Sequence, residues 1–195
     1  MSLEPERLAD FWEDPSGDDP LTPQLLADSQ QGWGCRYPAA YVQMMQQQNG
    51  GIPRRRFFPL EELDDLVEIS ELYGITREDS GIHGGRSFWV EDWGYPDLGV
   101  PLCGCPSDVH DAVFLDYSLC GPQGEPRVVH IDQECDYSMT VLADSFEAFI
   151  RGLTTEEGAE RRLAAARALR QARAEARQQE RPSMFQRLKN MLNGR

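Results

Sequence analysis

Lysine is almost missing from this chain: one residue, Lys189, in 195. No G-x-x-x-x-G-K run exists to cradle a phosphate, and no G-x-S-x-G elbow exists to present a serine nucleophile. No apolar run approaches the ~20 residues that a membrane-spanning helix needs. The first residues carry no basic stretch followed by an apolar one, because Glu4, Glu6, Asp10, Glu13 and Asp14 interrupt them, so neither a signal nor a transit peptide is expected. Cysteine is sparse and odd in number, at five. Without framework spacing, that count fits reduced thiols and a cytoplasmic location.

Metal templates are also incomplete. Cys103, Cys105 and His110 offer three ligands, but no second cysteine pair follows at finger spacing to complete a structural zinc site. Asp132, Glu134 and Asp136 begin like a calcium loop. Tyr137 then stands where the sixth-position glycine is required and Ala143 where the twelfth-position glutamate should chelate. Neither a cofactor nor a metal is expected from these patterns.

What the chain does have is negative charge, unevenly spread. Residues 1–150 hold 28 Asp/Glu against 8 Arg, net −20, whereas residues 151–195 hold 11 Arg/Lys against 5 Glu, net +6, giving −14 overall. Such a field repels nucleic acid and anionic membranes and speeds encounter with a basic partner. It also maintains solubility, with or without a partner. The cluster Arg54-Arg55-Arg56-Phe57-Phe58 is too small a basic footprint in so acidic a domain to specify nucleic-acid binding.

Local patterns give the architecture. Leu8, Phe11 and Trp12 fit one face of a short first helix. Thr22-Pro23 is an N-cap followed by proline at the first helical position, with Leu25 and Leu26 starting an apolar face and Gly32 and Gly34 closing it. A further helix from Pro38 through Tyr41, Met44 and Met45 stops at Asn49-Gly50-Gly51. Leu66 to Ile69 and Leu72 to Ile75 read as strands around a bend, and the Gly-rich segment Glu78 to Arg86 as a loop. Ala112 to Leu115 and Arg127 to Ile131 are β-branched or aromatic runs joined by Cys120-Gly121-Pro122-Gln123-Gly124-Glu125-Pro126, the pattern of a hairpin. A third run, Tyr137 to Leu142, gives way to helical spacing at Phe146, Phe149, Ile150 and Leu153, capped by Asp144 or Ser145. Strands closed by helices make the fold α+β.

Residues 1–153 therefore form an acidic domain and residues 154–195 a basic helical tail. Glu160 to Arg181 is rich in helix formers with only Leu163 and Leu169 as large apolar residues, so that helix has little to bury. After Pro182, Phe185, Leu188, Met191 and Leu192 form an apolar stripe about three turns long, which is too short to be stable alone. It fits docking on its own domain or on a second copy, with an external partner or an anionic membrane surface as alternatives.

Candidate contacts combine carboxylates with aromatics. Trp89 and Trp93 stand four apart and fit either a core seal or an anchor. Asp132, Glu134 and Asp136 alternate, so on a regular strand they project to one face together with His130. That face suits either solvent or the Arg and Lys of a partner.

An extended series of pieces identifies the chain as similar to a known superfamily. They are Trp93-Gly94-Tyr95-Pro96, Gly99-Val100-Pro101, Cys105-Pro106-Ser107, His110-Asp111, Leu115-Asp116-Tyr117, the Cys120 to Pro126 turn, Val128 to Glu134, Leu142-Ala143-Asp144 and Phe146 to Ile150, with Tyr37 to Tyr41 and Asn49-Gly50-Gly51 upstream. Over roughly residues 8 to 153 they resemble the SUKH superfamily, which includes fungal cell-wall-synthesis regulators and bacterial immunity proteins. Ser107-Asp108-Val109 stand where relatives often carry glycines, and Tyr37 replaces a more usual leucine. The resemblance implies a mostly antiparallel, twisted sheet flanked by helices. It also implies a non-enzymatic module that binds and neutralises a basic toxin domain, with Asp92, Trp93, Asp97, Asp116, Asp132, Glu134 and Asp136 as contacts. A regulatory scaffold with its tail as a second contact, and a carboxylate/histidine hydrolase or metal-binding protein, are the alternatives.

Overall fold

The computed structural model describes residues 10–13, 17–77 and 85–180. The apolar stripe at Phe185, Leu188, Met191 and Leu192, the residue Leu8 and most of the Gly-rich loop after Glu78 lie outside the described residues.

Helix α1, Pro23–Trp33, starts as its cap dictates: Thr22 accepts a hydrogen bond from the Leu25 N–H, and Gly34 closes the helix at φ 67°. Helix α2 is Ala39–Met45. Beyond it, the buried Asn49 side chain accepts from the Ile75 N–H (2.7 Å) and donates to the Ile75 and Asp19 carbonyls, tying the turn to the chain 26 residues on. Phe11 is buried, but Trp12 forms an isolated bridge with Pro53, so the two aromatics sit in extended chain and not in a helix.

Strands β1, Phe57–Leu60, and β2, Asp65–Glu68, form a separate hairpin. The main sheet is a five-stranded antiparallel meander in chain order: β3 (Glu71–Leu72), β4 (Gly99–Cys105), β5 (Asp108–Asp116), β6 (Arg127–Asp132) and β7 (Ser138–Ala143). The β5–β6 hairpin pairs Val113 with His130 and Leu115 with Val128. Helix α3, Phe146–Gly152, is capped by Ser145, whose hydroxyl accepts from the Ala148 N–H.

Both faces of the sheet centre are covered. Val113, Leu115, Val128 and Cys103 pack with Tyr41, Met44 and Met45 of α2 and with Phe146, Phe149 and Ile150 of α3. The opposite residues Ala112, Phe114, Val129 and Ile131 pack under Trp89 and Tyr95. This explains why β5 reads as a continuous apolar run without alternation. Each fully buried aliphatic or aromatic side chain contributes about 1.5–3 kcal/mol.

Helix α4 spans Glu156–Glu180. Its first turns are not peripheral: Ala159 and Leu163 are buried, and residue 154 bridges back to Phe57. Arg162 pairs with Glu61, and Arg167 and Arg170 with Asp64. Leu169 is exposed.

Candidate functional site

The segment before β4 is a π-helical turn, Ser87–Asp92, with the Trp93 N–H bonded to the Phe88 carbonyl at 3.1 Å. Its wide pitch drives Trp89 into the core, where the indole meets Tyr95 at 5.1 Å and Phe114 at 5.4 Å, both edge-on. Trp93 is left half-buried at the rim, 6.0 Å from the His110 ring. Of the two tryptophans, Trp89 is the core seal and Trp93 the exposed-edge residue.

Three connections meet at this end of the sheet. The Tyr137 hydroxyl donates to the Trp93 carbonyl at 2.6 Å and sits 3.4 Å from the Gln133 amide. Gln133 in turn reaches His110 at 3.2 Å, and its N–H bonds the His110 carbonyl at 2.8 Å. Thus the end of the π-helical turn, the start of β5 and the β6–β7 turn are locked together. Asp92, Trp93, Asp132, Glu134 and Asp136 all sit on this loop cluster.

The sequence expectation that Asp132, Glu134 and Asp136 share one strand face is corrected. Strand β6 stops at Asp132, whose carboxylate accepts from the Cys135 N–H at 3.2 Å. Asp136 and Tyr137 then take left-handed backbone, φ 56° and 54°, so residues 133–137 form a turn. Glu134 and Asp136 are exposed and Asp132 is half-buried. The Cys135 thiol and N–H together hold the Asp132 carboxyl below its ordinary range, against the upward push of desolvation.

Two of the seven candidate contacts lie at the other end of β4 and β5. Asp97 is exposed and paired with Arg86. Asp116 is a correction in kind: its side chain is fully buried, bonded to Arg127 Nε at 2.7 Å and to the Ser118 N–H at 2.8 Å. A carboxylate so enclosed offers nothing to a partner. Its apolar neighbours Leu115 and Tyr117 were the available clue in the sequence.

The three candidate ligands set aside in the sequence, Cys103, Cys105 and His110, do not come together. His110 is exposed beside Trp93, while Cys103 is wholly buried. Instead, Cys105, Asp111 and His130 converge, with one ligand atom from each lying within 4.8 Å of the others. Asp111 went unnoticed because only strand register reveals it. With Val113 opposite His130, Asp111 is the diagonal neighbour on the same face.

No described helix is long and apolar enough to cross a membrane. In comparisons with known proteins, the family model described as SMI1 / KNR4 family (SUKH-1) matches residues 20–152. No curated protein and no solved structure matches the chain.

Proposed function

The chain belongs to the SMI1 / KNR4 family (SUKH-1), and from that premise we propose that it is a non-enzymatic immunity protein of the bacterial cytoplasm that binds and neutralises a basic toxin domain. The observation that carries this reading is the acidic, aromatic loop cluster at one end of the sheet. There, Trp93 offers a half-buried ring beside His110, and Asp92, Glu134 and Asp136 are exposed around it.

The mechanism is steering followed by local desolvation. The net −20 of residues 1–150 raises the encounter rate with a basic surface. Trp93 then supplies the apolar anchor, and the surrounding carboxylates pair with Arg and Lys of the toxin. Because the Tyr137 hydroxyl fixes the loops in advance, less ordering entropy is lost on association.

The test is growth protection. Cells that express a basic toxin domain encoded beside this gene should survive when the full chain is co-expressed. Protection should be lost with the triple variant Trp93→Ala, Glu134→Gln, Asp136→Asn while the variant remains folded by circular dichroism. Undiminished protection by a folded triple variant would contradict the assignment of this surface.

A further inference from the structure

A second chemistry is built into the sheet beneath that loop cluster. Cys105 ends β4, Asp111 lies in β5 and His130 in β6, so three adjacent strands each present one metal-ligating group to the same place. His130 Nε2 and Asp111 Oδ2 are 2.6 Å apart. The other oxygen, Asp111 Oδ1, is buried and makes no hydrogen bond. A buried carboxylate oxygen without a donor carries an uncompensated desolvation cost of about 1–3 kcal/mol.

The surroundings are electronegative. The Cys105 thiol is buried and lies beside the Asp111 carboxylate. Asp132 lies within electrostatic reach of His130. Among the described residues, the Asp111 carboxylate contacts the His130 ring and no arginine. The site thus presents a soft sulfur, an imidazole and an oxygen, in a negative field, with one lone pair unused.

We propose that Cys105, Asp111 and His130 form a binding site for one divalent cation of the zinc class. A tetrahedral zinc site holds Cys sulfur at about 2.3 Å and His nitrogen and carboxylate oxygen at about 2.0–2.2 Å. Ligand atoms then stand roughly 3.3–3.6 Å apart, between the 2.6 Å His130–Asp111 separation and the 4.8 Å outer bound of the present cluster. Asp111 Oδ1 gains the partner it lacks, and three protein ligands leave one position for water. The ion would cross-link β4, β5 and β6, next to His110 in β5 and two residues along the chain from Asp132.

The experiment uses the full chain with the exposed Cys120 and Cys135 replaced by serine, stripped of metal and titrated with cobalt(II). Saturation at one equivalent is expected, with the thiolate-to-cobalt charge-transfer absorption and the intense visible bands of tetrahedral cobalt. Zinc should displace the cobalt and raise the thermal midpoint. Cys105→Ser should abolish the charge-transfer band. His130→Gln, checked for folding by circular dichroism, should weaken cobalt binding at least about tenfold. Absence of a charge-transfer band at saturating cobalt, or an unchanged titration in folded His130→Gln, would overturn the site.

Discussion

Asp116 owes its state to opposed effects. Burial alone would raise its carboxyl pKa, but the hydrogen bonds from Ser118 and Arg127 outweigh that and hold it below the ordinary value. A carboxyl whose pKa is depressed by folding contributes stability that is fully present above its unfolded pKa of about 3.9 and is lost as pH falls through the lower folded value. Asp116→Ala should therefore cost about 1–3 kcal/mol at pH 7, read from urea midpoints. The wild-type advantage should shrink as both proteins are taken into the acid range below pH ~4. An unchanged gap there would refute the linkage. At Tyr137, the hydroxyl that joins Trp93 to the β6–β7 turn should be worth about 0.5–1.5 kcal/mol. Tyr137→Phe should lower the unfolding midpoint accordingly and speed amide exchange at residues 133–137. Residues of this kind were only half legible. The sequence marked Asp116 and Asp136 as carboxylates of interest, yet burial of the first and left-handed backbone at the second depend on strand ends that alternation alone does not locate.

Elements were more legible than residues, because caps and periodicity are local. Thr22, Ser145 and the Cys120 to Pro126 turn placed α1, α3 and the β5–β6 hairpin close to where they lie. The π-helical turn was not legible, since the i to i−5 bonding at Trp93 answers to the packing of Trp89 against Phe114 and not to a propensity. Close approach between elements is equally hidden. A Cβ at Gly152 of α3 would fall 2.2 Å from the Phe58 ring, itself stacked on Phe149 at 5.5 Å. Gly152→Ala should then destabilise by about 1–3 kcal/mol, where an exposed helical Gly→Ala would stabilise. A rise in the urea midpoint would show that Phe58 yields freely. Helix α4 divides in the same way. Residues up to Arg170 are anchored by Leu163, Ala159 and the arginine pairs to Glu61 and Asp64, while residues 171–178 are exposed. Truncation after residue 171 should leave the unfolding midpoint in place. Truncation after residue 153 should lower the midpoint, by a stability loss of about 2–4 kcal/mol from buried Leu163 and Ala159. Equal midpoints would make residue 153 a true domain boundary.

At the scale of the whole molecule, charge and topology work together. The antiparallel meander brings the start of β5 and the β6–β7 turn to one end of the sheet, and the Tyr137 and Gln133 hydrogen bonds join them to Trp93 in one surface. For the basic partner proposed above, the acidic excess of residues 1–150 is the long-range attraction, which acts over roughly a Debye length, about 8–10 Å at physiological salt. The α+β class and the acidic character were readable from composition and pattern. The convergence of Cys105, Asp111 and His130 was not, because it is a property of register.

We propose above that one basic protein is recognised through this acidic end. Affinity capture from the source cell's lysate, with the full chain and with the variant Asp132→Asn, Glu134→Gln, Asp136→Asn, at low and moderate salt, tests it most directly. The expected result is one dominant basic toxin domain on the wild-type chain at low salt, reduced at moderate salt and depleted on the variant. Identical captured proteins on both chains at both salt levels would contradict it.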